Sequence, residues 1–381
     1  MLATLISVFA ALLISTTLTP TVRKLAYRFG IVAEPNHRTV HKHLTPKLGG
    51  LSIFAAFSIG VLILAILHPD NMNVLGIWLG SMVVLMLGFL DDIRGLGCYS
   101  KLSGQVLAAS IALALGFKIK TIYLFSGHAI DLGVWGAPLT IFWIVGITNA
   151  VNLLDGLDGL ASGFSVIVSG FALIAAAMIG NYEMVALTLV LSAALLGFLK
   201  YNFAPAKIFL GDTGSLFLGF TLACLSVNAF HFQNAGPDIL AAAILFWLPL
   251  ADTNIAIFRR LSKRQHPFRA DQEHIHHRLL KLGLSQSSAV SSIYAVTFVC
   301  GSISLLLFAG SLKLGGLLLF GFAVLFVFAL IHLGCFDFVR RKPVSGNLAA
   351  KKFQKRPLNT VTLEASVSEE EDGGGGGRQW Q

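Results

Sequence analysis

The chain of 381 residues is 55% apolar and only 12% charged, whereas an ordinary soluble domain is about 25% charged. This composition excludes a disordered chain and argues against a water-soluble globule. The four cysteines form no C-x-x-C pair, which argues against a disulfide scaffold or a zinc ribbon. The apolar residues occur in long runs between short polar loops, and this pattern predicts an all-α, polytopic integral membrane helical bundle.

Eleven segments approach the roughly 20 helical residues that cross a bilayer core of about 30 Å. In chain order they are 2–20, 49–67, 74–90, 102–117, 137–154, 160–180, 183–199, 213–230, 238–258, 289–310 and 314–334. The first cationic residue is Arg23, so the first segment lacks the basic start of a signal peptide and is expected to remain as a span. Alternating apolar and polar residues between 118 and 138 predict a short hairpin or an interfacial element.

The distribution of Lys and Arg predicts the sidedness of the spans. Alternate loops and the tail carry 25 of the 28 cationic residues, and the opposite loops carry three. By the positive-inside rule, the N-terminus lies outside and the C-terminus is cytoplasmic. The net charge of +9 then follows from topology and phosphate chemistry and requires no nucleic acid. We expect residues 1–338 to form the membrane domain and 339–381 a disordered cytoplasmic tail, first basic and then acidic and glycine-rich.

Several acidic clusters fall at predicted cytoplasmic ends of the spans. Asp91 and Asp92 end the third span, where adjacent carboxylates are costly unless a cation, a transferred proton or solvent compensates them. Asp212 precedes the eighth span in the run GDTGS. Asp212 or Thr213 could simply cap that helix, or the helix N-terminus could receive an anion while the carboxylate holds its accompanying metal.

The run NAVNLLDGLDGLASG between the fifth and sixth spans is the most specific motif in the chain. Asn152, Asp155 and Asp158 recur every three residues, and Gly156 and Gly159 let the helix open toward a ligand. Polar backbone at membrane depth is tolerated only where it lines a cavity. A plain turn would need one glycine and no spaced carboxylates, so the motif favours a functional site.

The largest predicted cytoplasmic loop, 259–288, is more basic than topology requires. It contains Arg260 and the run His274-Ile-His-His, which includes His276 and His277. This spacing matches no common structural zinc site. Binding of a diphosphate fits the arginines and imidazoles better, and a solvated basic loop is the alternative.

The first predicted cytoplasmic loop is also basic. It places Arg38, Lys42 and Lys47 around Pro46 and before a pair of glycines. Ordinary positive-inside loading and contact with a lipid phosphate or a nucleotide both account for these charges. The sequence leaves these two interpretations open.

Five motifs in this order, over about residues 20–285, resemble the polyprenyl-phosphate N-acetylhexosamine-1-phosphate transferases of the glycosyltransferase 4 family. They are PNHRTVH with its Pro and Gly-Gly ending, the DD pair, NAVNLLDGLDGL, FLGDTGS and HIHHRL. The PN-x-R-x-x-H opening and H-I-H-H-R are similar to the WecA/TagO branch, which uses UDP-N-acetylglucosamine. The branch that transfers phospho-MurNAc-pentapeptide typically has three consecutive histidines.

The resemblance implies transfer of N-acetylhexosamine-1-phosphate, foremost GlcNAc-1-phosphate, from a UDP-sugar to undecaprenyl phosphate. UMP is released, Mg²⁺ or Mn²⁺ is required, and a cell-envelope glycopolymer is initiated. The enzyme would lie among the lipids of the bacterial inner (cytoplasmic) membrane with its site facing the cytoplasm, and a homodimer is compatible with the resemblance. The alternatives are the phospho-MurNAc-pentapeptide transferase of peptidoglycan synthesis and, in another class, a secondary transporter, which also buries acids and breaks its helices.

The resemblance also implies roles for individual residues. The implied metal ligands are Asn152, Asp155 and Asp212. The implied catalytic groups are Asp91, Asp92, Asp155, Asp158, Asp212 and His274. The implied substrate-binding residues are Arg38, Lys42, Asn152, Asn202, Phe209, Arg260, His276 and His277. We therefore expect carboxylates distant in sequence to converge at the cytoplasmic edge around one divalent cation.

Overall fold

The structure is a computed structural model that describes residues 1–33, 44–67, 72–123, 128–230, 238–266 and 273–335. The helices are α1 Leu2–Arg28, α2 Gly49–Leu67, α3 Met72–Arg94, α4 Cys98–Ala114, α5 Gly136–Leu154, α6 Leu160–Met178, α7 Tyr182–Asn202, α8 Gly211–Ala229, α9 Asp238–Leu245, α10 Trp247–Ser262, α11 Ile275–Lys281, α12 Gln286–Phe308 and α13 Leu312–His332. The strands are β1 Val32–Ala33, β2 Thr45–Pro46, β3 Thr121–Tyr123 and β4 Ala129–Asp131.

Within the described ranges, eight helices are long and apolar enough to cross a membrane: α1, α2, α3, α5, α6, α7, α12 and α13. The pair α9 and α10 makes a ninth if it is counted as one bent span. The chain is therefore an all-α, multi-pass membrane protein. All eleven predicted segments fall on helices, but α4 has only 17 residues and α8 carries many polar residues. The count of eleven and the sidedness of the termini stay predictions.

The first helix is longer than the predicted segment, which ends at residue 20. It continues to Arg28 with Pro20 in its interior. Proline lacks the N–H that would bond the carbonyl four residues earlier, here that of Thr16. The Tyr201 hydroxyl of α7 donates to this carbonyl at 3.1 Å. A neighbouring helix thus satisfies the group that Pro20 leaves unpaired, as transmembrane helices commonly require.

The predicted segment 238–258 is not one straight helix. Its two halves, α9 and α10, meet at an angle of 80°. Pro249 lies in the first turn of α10, a position that proline tolerates because those N–H groups have no intrahelical partner. Since Pro249 cannot continue the hydrogen bonds of α9, the chain restarts its helix at Trp247.

The central helix of the bundle is α8. Sixteen of its 19 residues are buried, and it packs against α2, α3, α5, α6, α7 and α9. Glycines permit the closest approaches at its N-terminal end: a Cβ on Gly50 would overlap the backbone of Gly214, and a Cβ on Gly88 would overlap the backbone of Asp212. The packing of α2 and α3 therefore fixes the start of α8.

Two antiparallel strand pairs complete the described fold. In the first, Val32 pairs with Pro46 and Ala33 with Thr45. In the second, β3 and β4 form the hairpin predicted between 118 and 138, with Thr121 opposite Asp131. Residues 336–381 lie outside the described ranges, so the boundary at 338 and the disordered tail stay predictions.

Candidate active site

A cavity of about 350 Å³ opens where α3, α5 and α7 end and α8 and α12 begin. The predicted site residues that line it are Asp92, Asn152, Asp155, Asp158, Asn202, Phe209, Asp212 and His277. Further lining residues include Lys47, Gly156 and Gln286. Four carboxylates from three separate parts of the sequence thus share one cavity at one end of the bundle.

Asp92 caps the central helix. Its Oδ1 accepts from the backbone N–H of Asp212 at 3.2 Å, and its Oδ2 accepts from the N–H and the hydroxyl of Thr213 at 2.9 and 2.7 Å. Gly211 has a φ of +73°, and a Cβ there would lie 2.6 Å from Asp92 Oδ2. The helix N-terminus considered for a substrate anion is therefore occupied by a carboxylate of α3, and neither Asp212 nor Thr213 caps its own helix.

The Asp212 carboxylate is contacted by side chains from two other helices, α5 and α4. Asn152 of α5 donates to Asp212 Oδ1 at 2.6 Å and to the Ser215 hydroxyl at 2.8 Å. Lys101 of α4 places its ammonium 3.5 Å from Asp212 Oδ2 and also pairs with Asp91. Lys101 was not among the predicted site residues, because a cation in a cytoplasmic loop is also what topology requires.

Asp91 lies behind the cavity and does not line it. It is only 8% exposed. Its Oδ1 accepts from the backbone N–H of Leu96 at 2.6 Å, and its other oxygen pairs with Lys101. Asp91 thus holds the end of α3 and the start of α4 together, and its two oxygens already have partners.

The segment 155–159 connects α5 and α6 and carries the remaining two acids. Asp158 accepts from the backbone N–H of Ala206 at 3.0 Å. The Tyr294 hydroxyl of α12 donates to the Gly159 carbonyl at 2.6 Å, and Gly159 has a φ of +75°, which favours glycine. This segment is therefore fixed from two sides, although it is not helical.

Asp155 has a different environment from the other three acids. Its carboxylate accepts no hydrogen bond within the described ranges. Burial, followed by the charges of Asp212, Asp92 and Asp158, raises the pKa of Asp155 to about 8. A buried carboxylate near like charges favours its protonated form unless a cation compensates it.

Asn202 and Phe209 flank the loop between α7 and α8. The Asn202 amide donates to the Ile208 carbonyl at 2.9 Å, and its oxygen accepts from the Ser162 hydroxyl at 2.5 Å. The backbone of Phe209 donates to Pro46 at 2.8 Å and accepts from Gly49 at 2.9 Å. Backbone bonds thus join the segment just before α2 to the loop that precedes α8.

The histidine run lies on and before the short helix α11. His274 Nδ1 is 2.9 Å from Asp252 Oδ2, and Asp252 Oδ1 accepts from the Ile275 N–H at 2.9 Å. Of the three histidines, His277 lines the cavity. His276 is 2% exposed and lies directly behind Gly156. Burial, and then the neighbouring His277, lower the pKa of His276 to about 3, so it stays neutral and supplies no charge.

The arginines of this loop form internal contacts. Glu273 lies 3.3 Å from Arg259 Nε and 3.0 Å from an Arg278 guanidinium nitrogen. Arg278 also donates to the Leu333 carbonyl, which follows α13, at 2.9 Å. Arg260 is 8% exposed and does not line the cavity. Arg38 and Lys42 lie outside the described residues.

The cavity offers oxygen donors to a divalent cation. Within the described ranges, no three His, Cys, Asp or Glu side chains are grouped so as to hold a metal by themselves. Mg²⁺ is commonly bound by one or two carboxylates together with substrate phosphates. Asp155, Asp212 and the amide oxygen of Asn152 fit that donor set. The carboxylate of Asp155 has no hydrogen-bonding partner in the described part of the chain, and Asn152 uses its amide nitrogen for Asp212.

Comparisons with known proteins identify the family of the chain. The family model of glycosyl transferase family 4 matches residues 74–230. The probable undecaprenyl-phosphate N-acetylglucosaminyl 1-phosphate transferase of Bacillus subtilis is 37% identical over 321 residues, which are 84% of this chain and 89% of that protein.

Two further relatives carry different names. The decaprenyl-phosphate N-acetylglucosaminephosphotransferase of Mycobacterium tuberculosis is 34% identical over 303 residues, 72% of this chain and 74% of that protein. The phospho-N-acetylmuramoyl-pentapeptide-transferase of Staphylococcus carnosus is 31% identical over 322 residues, 79% of this chain and 97% of that protein. The chain therefore belongs to glycosyl transferase family 4, in its group of polyprenyl-phosphate N-acetylhexosamine-1-phosphate transferases.

Proposed function

We propose that the protein transfers GlcNAc-1-phosphate from UDP-GlcNAc to undecaprenyl phosphate and releases UMP. The observation that carries this proposal is the cavity in which Asp92, Asp155, Asp158 and Asp212 meet at the end of α8. The relatives from Bacillus subtilis and Mycobacterium tuberculosis, named as N-acetylglucosaminyl phosphate transferases of polyprenyl phosphates, support this donor and this acceptor.

The reaction brings several negative charges together. An oxygen of the lipid phosphate attacks the β-phosphorus of the donor, and the bond from that phosphorus to the oxygen of the departing UMP breaks. At 4 Å, each pair of unit charges repels by about 4 kcal/mol at an effective dielectric constant of 20. Mg²⁺ or Mn²⁺ held by Asp155, Asp212 and Asn152 would neutralise charge on the phosphates. Lys101 restrains the Asp212 carboxylate from its other side.

A protein base is of secondary importance for this step. The second pKa of a phosphate monoester is about 6, so the lipid phosphate is largely ionised at neutral pH. The oxygens of Asp91 and Asp92 already have partners in Leu96, Lys101 and the start of α8. These acids therefore serve mainly to position α8 and Lys101.

The membrane setting follows from the acceptor. Its polyprenyl chain stays in the lipid, while its phosphate reaches the end of the bundle where the cavity opens. The Lys and Arg distribution supports a cytoplasmic location for this end, in the inner membrane of a bacterium, where UDP-sugars are available. Initiation of a cell-envelope glycopolymer would then be the role of the lipid-linked product.

Transfer is tested with the purified protein, undecaprenyl phosphate and radiolabelled UDP-GlcNAc. We expect UMP and a lipid-linked sugar phosphate in equal amounts, and no UMP without the lipid. UDP-GalNAc and UDP-MurNAc-pentapeptide serve as competing donors in the same assay. Efficient use of UDP-MurNAc-pentapeptide in place of UDP-GlcNAc would overturn the proposed donor, and substrate uptake into vesicles without UMP release would favour a transporter.

Metal binding is tested separately from turnover. Titration of Mn²⁺ into the wild-type protein, followed by electron paramagnetic resonance, should show a bound fraction that grows when UDP is added, because Mg²⁺-type sites use substrate phosphates as ligands. The variant Asp155→Asn should bind less Mn²⁺ under both conditions. Equal binding by the variant and the wild type would remove Asp155 from the metal site.

A further inference from the structure

Lys47, which lies just before α2, is a cationic residue of the cavity to which the proposed transfer assigns no role. It lines the same cavity as Asp92, Asp155, Asp158 and Asp212 and is half-buried. It forms no ion pair and no side-chain hydrogen bond within the described part of the chain. Lys101, in contrast, pairs with both Asp91 and Asp212.

The backbone around Lys47 is held on both sides. The Lys47 N–H donates to the Ile31 carbonyl at 3.1 Å, beside the β1 and β2 pair. Pro46 and Gly49 bond the backbone of Phe209, at 2.8 and 2.9 Å. Leu48, the next residue, has a φ of +77° and is 5% exposed. A non-glycine residue in this region is held there only when its surroundings fix it.

These backbone bonds fix the position of the Lys47 Cα, but its ammonium group has no partner among the residues that the structure describes. A lysine ammonium is a compact charge with three hydrogen-bond donors. In a cavity lined by four acids that receives polyanionic substrates, an uncommitted ammonium group is a ready ligand for phosphate oxygens. Because Phe209 is joined to the same backbone, the bound phosphate would lie at the Phe209 side of the cavity.

We infer that Lys47 is a substrate-binding residue that donates to a phosphate oxygen, either in the diphosphate of the nucleotide donor or in the phosphate of the lipid acceptor. This inference rests on the proposed function for the identity of the two phosphates. Lys47 would add a cationic contact to the cavity from the segment before α2, which is separate from the histidine run on α11. The two sources of phosphate are distinguished by separate measurements.

The donor arm compares UDP with uridine. Binding of each to the purified full-length protein is measured by calorimetry in the presence of Mg²⁺, for the wild type, Lys47→Gln and Lys47→Arg. If Lys47 contacts the donor, Lys47→Gln weakens UDP binding by about tenfold to a hundredfold, as expected for a charge-assisted hydrogen bond, and leaves uridine binding unchanged. Lys47→Arg retains most of the affinity because it keeps the charge.

The acceptor arm measures the KM for undecaprenyl phosphate in the same variants. If Lys47 contacts the acceptor, Lys47→Gln raises this KM by a similar factor and leaves UDP binding unchanged. The matched control is Lys207→Gln, since Lys207 is an exposed lysine of a nearby loop that does not line the cavity. Its loss changes the net charge equally and should affect neither measurement.

A second measurement uses the wild-type protein only and so does not depend on the folding of a variant. Acetylation of lysines by an amine-reactive reagent is followed by mass spectrometry. UDP with Mg²⁺, or undecaprenyl phosphate, should slow the acetylation of Lys47 but not that of Lys207. Equal acetylation with and without both compounds, together with wild-type behaviour of Lys47→Gln in both arms, overturns the inference.

The outcomes also separate this inference from the proposed function. Wild-type UMP release combined with an unaltered Lys47→Gln variant would reject the role of Lys47 alone. A loss of UDP affinity in Lys47→Gln combined with no UMP release by the wild type would reject the proposed transfer and retain the phosphate contact. The absence of any binding or protection in the wild type would reject both.

Discussion

The acidic and histidine sides of the cavity are built in different ways. The acidic side depends on backbone packing: α8 is buried along almost its whole length, and glycines bring α2 and α3 against its first turn. The histidine side depends on side-chain pairs, because α11 has only seven residues and is held by Asp252 and Glu273. Changes of volume should therefore damage the acidic side, and changes of hydrogen bonding should damage the histidine side.

The largest expected effect comes from removing the carboxylate where α4, α5 and α8 meet. We expect Asp212→Ala to lower UMP release by about a hundredfold to a thousandfold, as for the loss of a central electrostatic group. The fold should persist, since Asp212 is not among the buried residues of α8. Asp131→Ala, in the β3 and β4 hairpin, is the control and should release UMP at the wild-type rate. Near-normal release by Asp212→Ala would remove Asp212 from the site.

A substitution at Gly88 tests whether packing positions the acidic side. A Cβ there would overlap the backbone of Asp212, and overpacking of this kind costs about 1–3 kcal/mol. We therefore expect Gly88→Ala to lower both the thermal midpoint and UMP release. Gly146→Ala in α5 is the matched control, because a Cβ at Gly146 has nothing within 4 Å and alanine is the better helix former. If both variants behave alike, packing does not position the acidic side.

A substitution at Asp252 tests whether hydrogen bonding positions the histidine side. Asparagine keeps an acceptor for the Ile275 N–H but removes the charge opposite His274 Nδ1. Since the partner of one ring nitrogen sets the tautomer and orientation of histidine, we expect UMP release to fall by about tenfold. The double variant with His274→Ala should be no slower than His274→Ala alone. Additive losses would show that Asp252 acts independently of His274.

The smallest expected effect concerns stability at Asp155. Its pKa is 3.8 in an unperturbed chain and about 8 in the folded protein. The stabilisation due to the neutral carboxyl is therefore complete below about pH 4 and is lost as the pH rises through about 8. We expect the metal-free wild type to lose about 2–4 °C of thermal midpoint between pH 6 and pH 8.5. Asp155→Asn should lack this decline, and an unchanged decline in the variant would assign it to other groups.

The acidic side was largely predictable from the sequence. Once the spans alternate across the membrane, the acids in the last turn of α3, in the loop after α5 and in the first turn of α8 must lie on the same side. The capping of α8 was not predictable, because Asp92 reaches Thr213 only after α3 packs beside α8. The same holds for Lys101, whose charge resembles an ordinary topology signal until its two carboxylate partners are seen.

The histidine side was predicted less well. The run HIHHRL indicated three imidazoles that bind one ligand, yet His276 lies behind Gly156 and His274 is directed to Asp252. Sequence spacing does not show which of three neighbouring side chains on one short helix turns inward. In the structure, Asp252 of α10 holds His274 and the start of α11, and nothing in the sequence indicated this contact.

Most transmembrane helices must both pack against other helices and present an apolar surface to lipid. The burial of α8 leaves this helix with the first requirement only. Other helices of the bundle cover α8 so fully that, of its 19 residues, only Gly211, Asp212 and Asn228 are not buried. It can therefore carry Ser215, Thr221 and Ser226 in its interior turns without exposing a hydroxyl group to hydrocarbon. The surrounding helices thus take the place of lipid around α8. Its residues can therefore be polar where the active site needs polar groups, although the bundle lies in a bilayer.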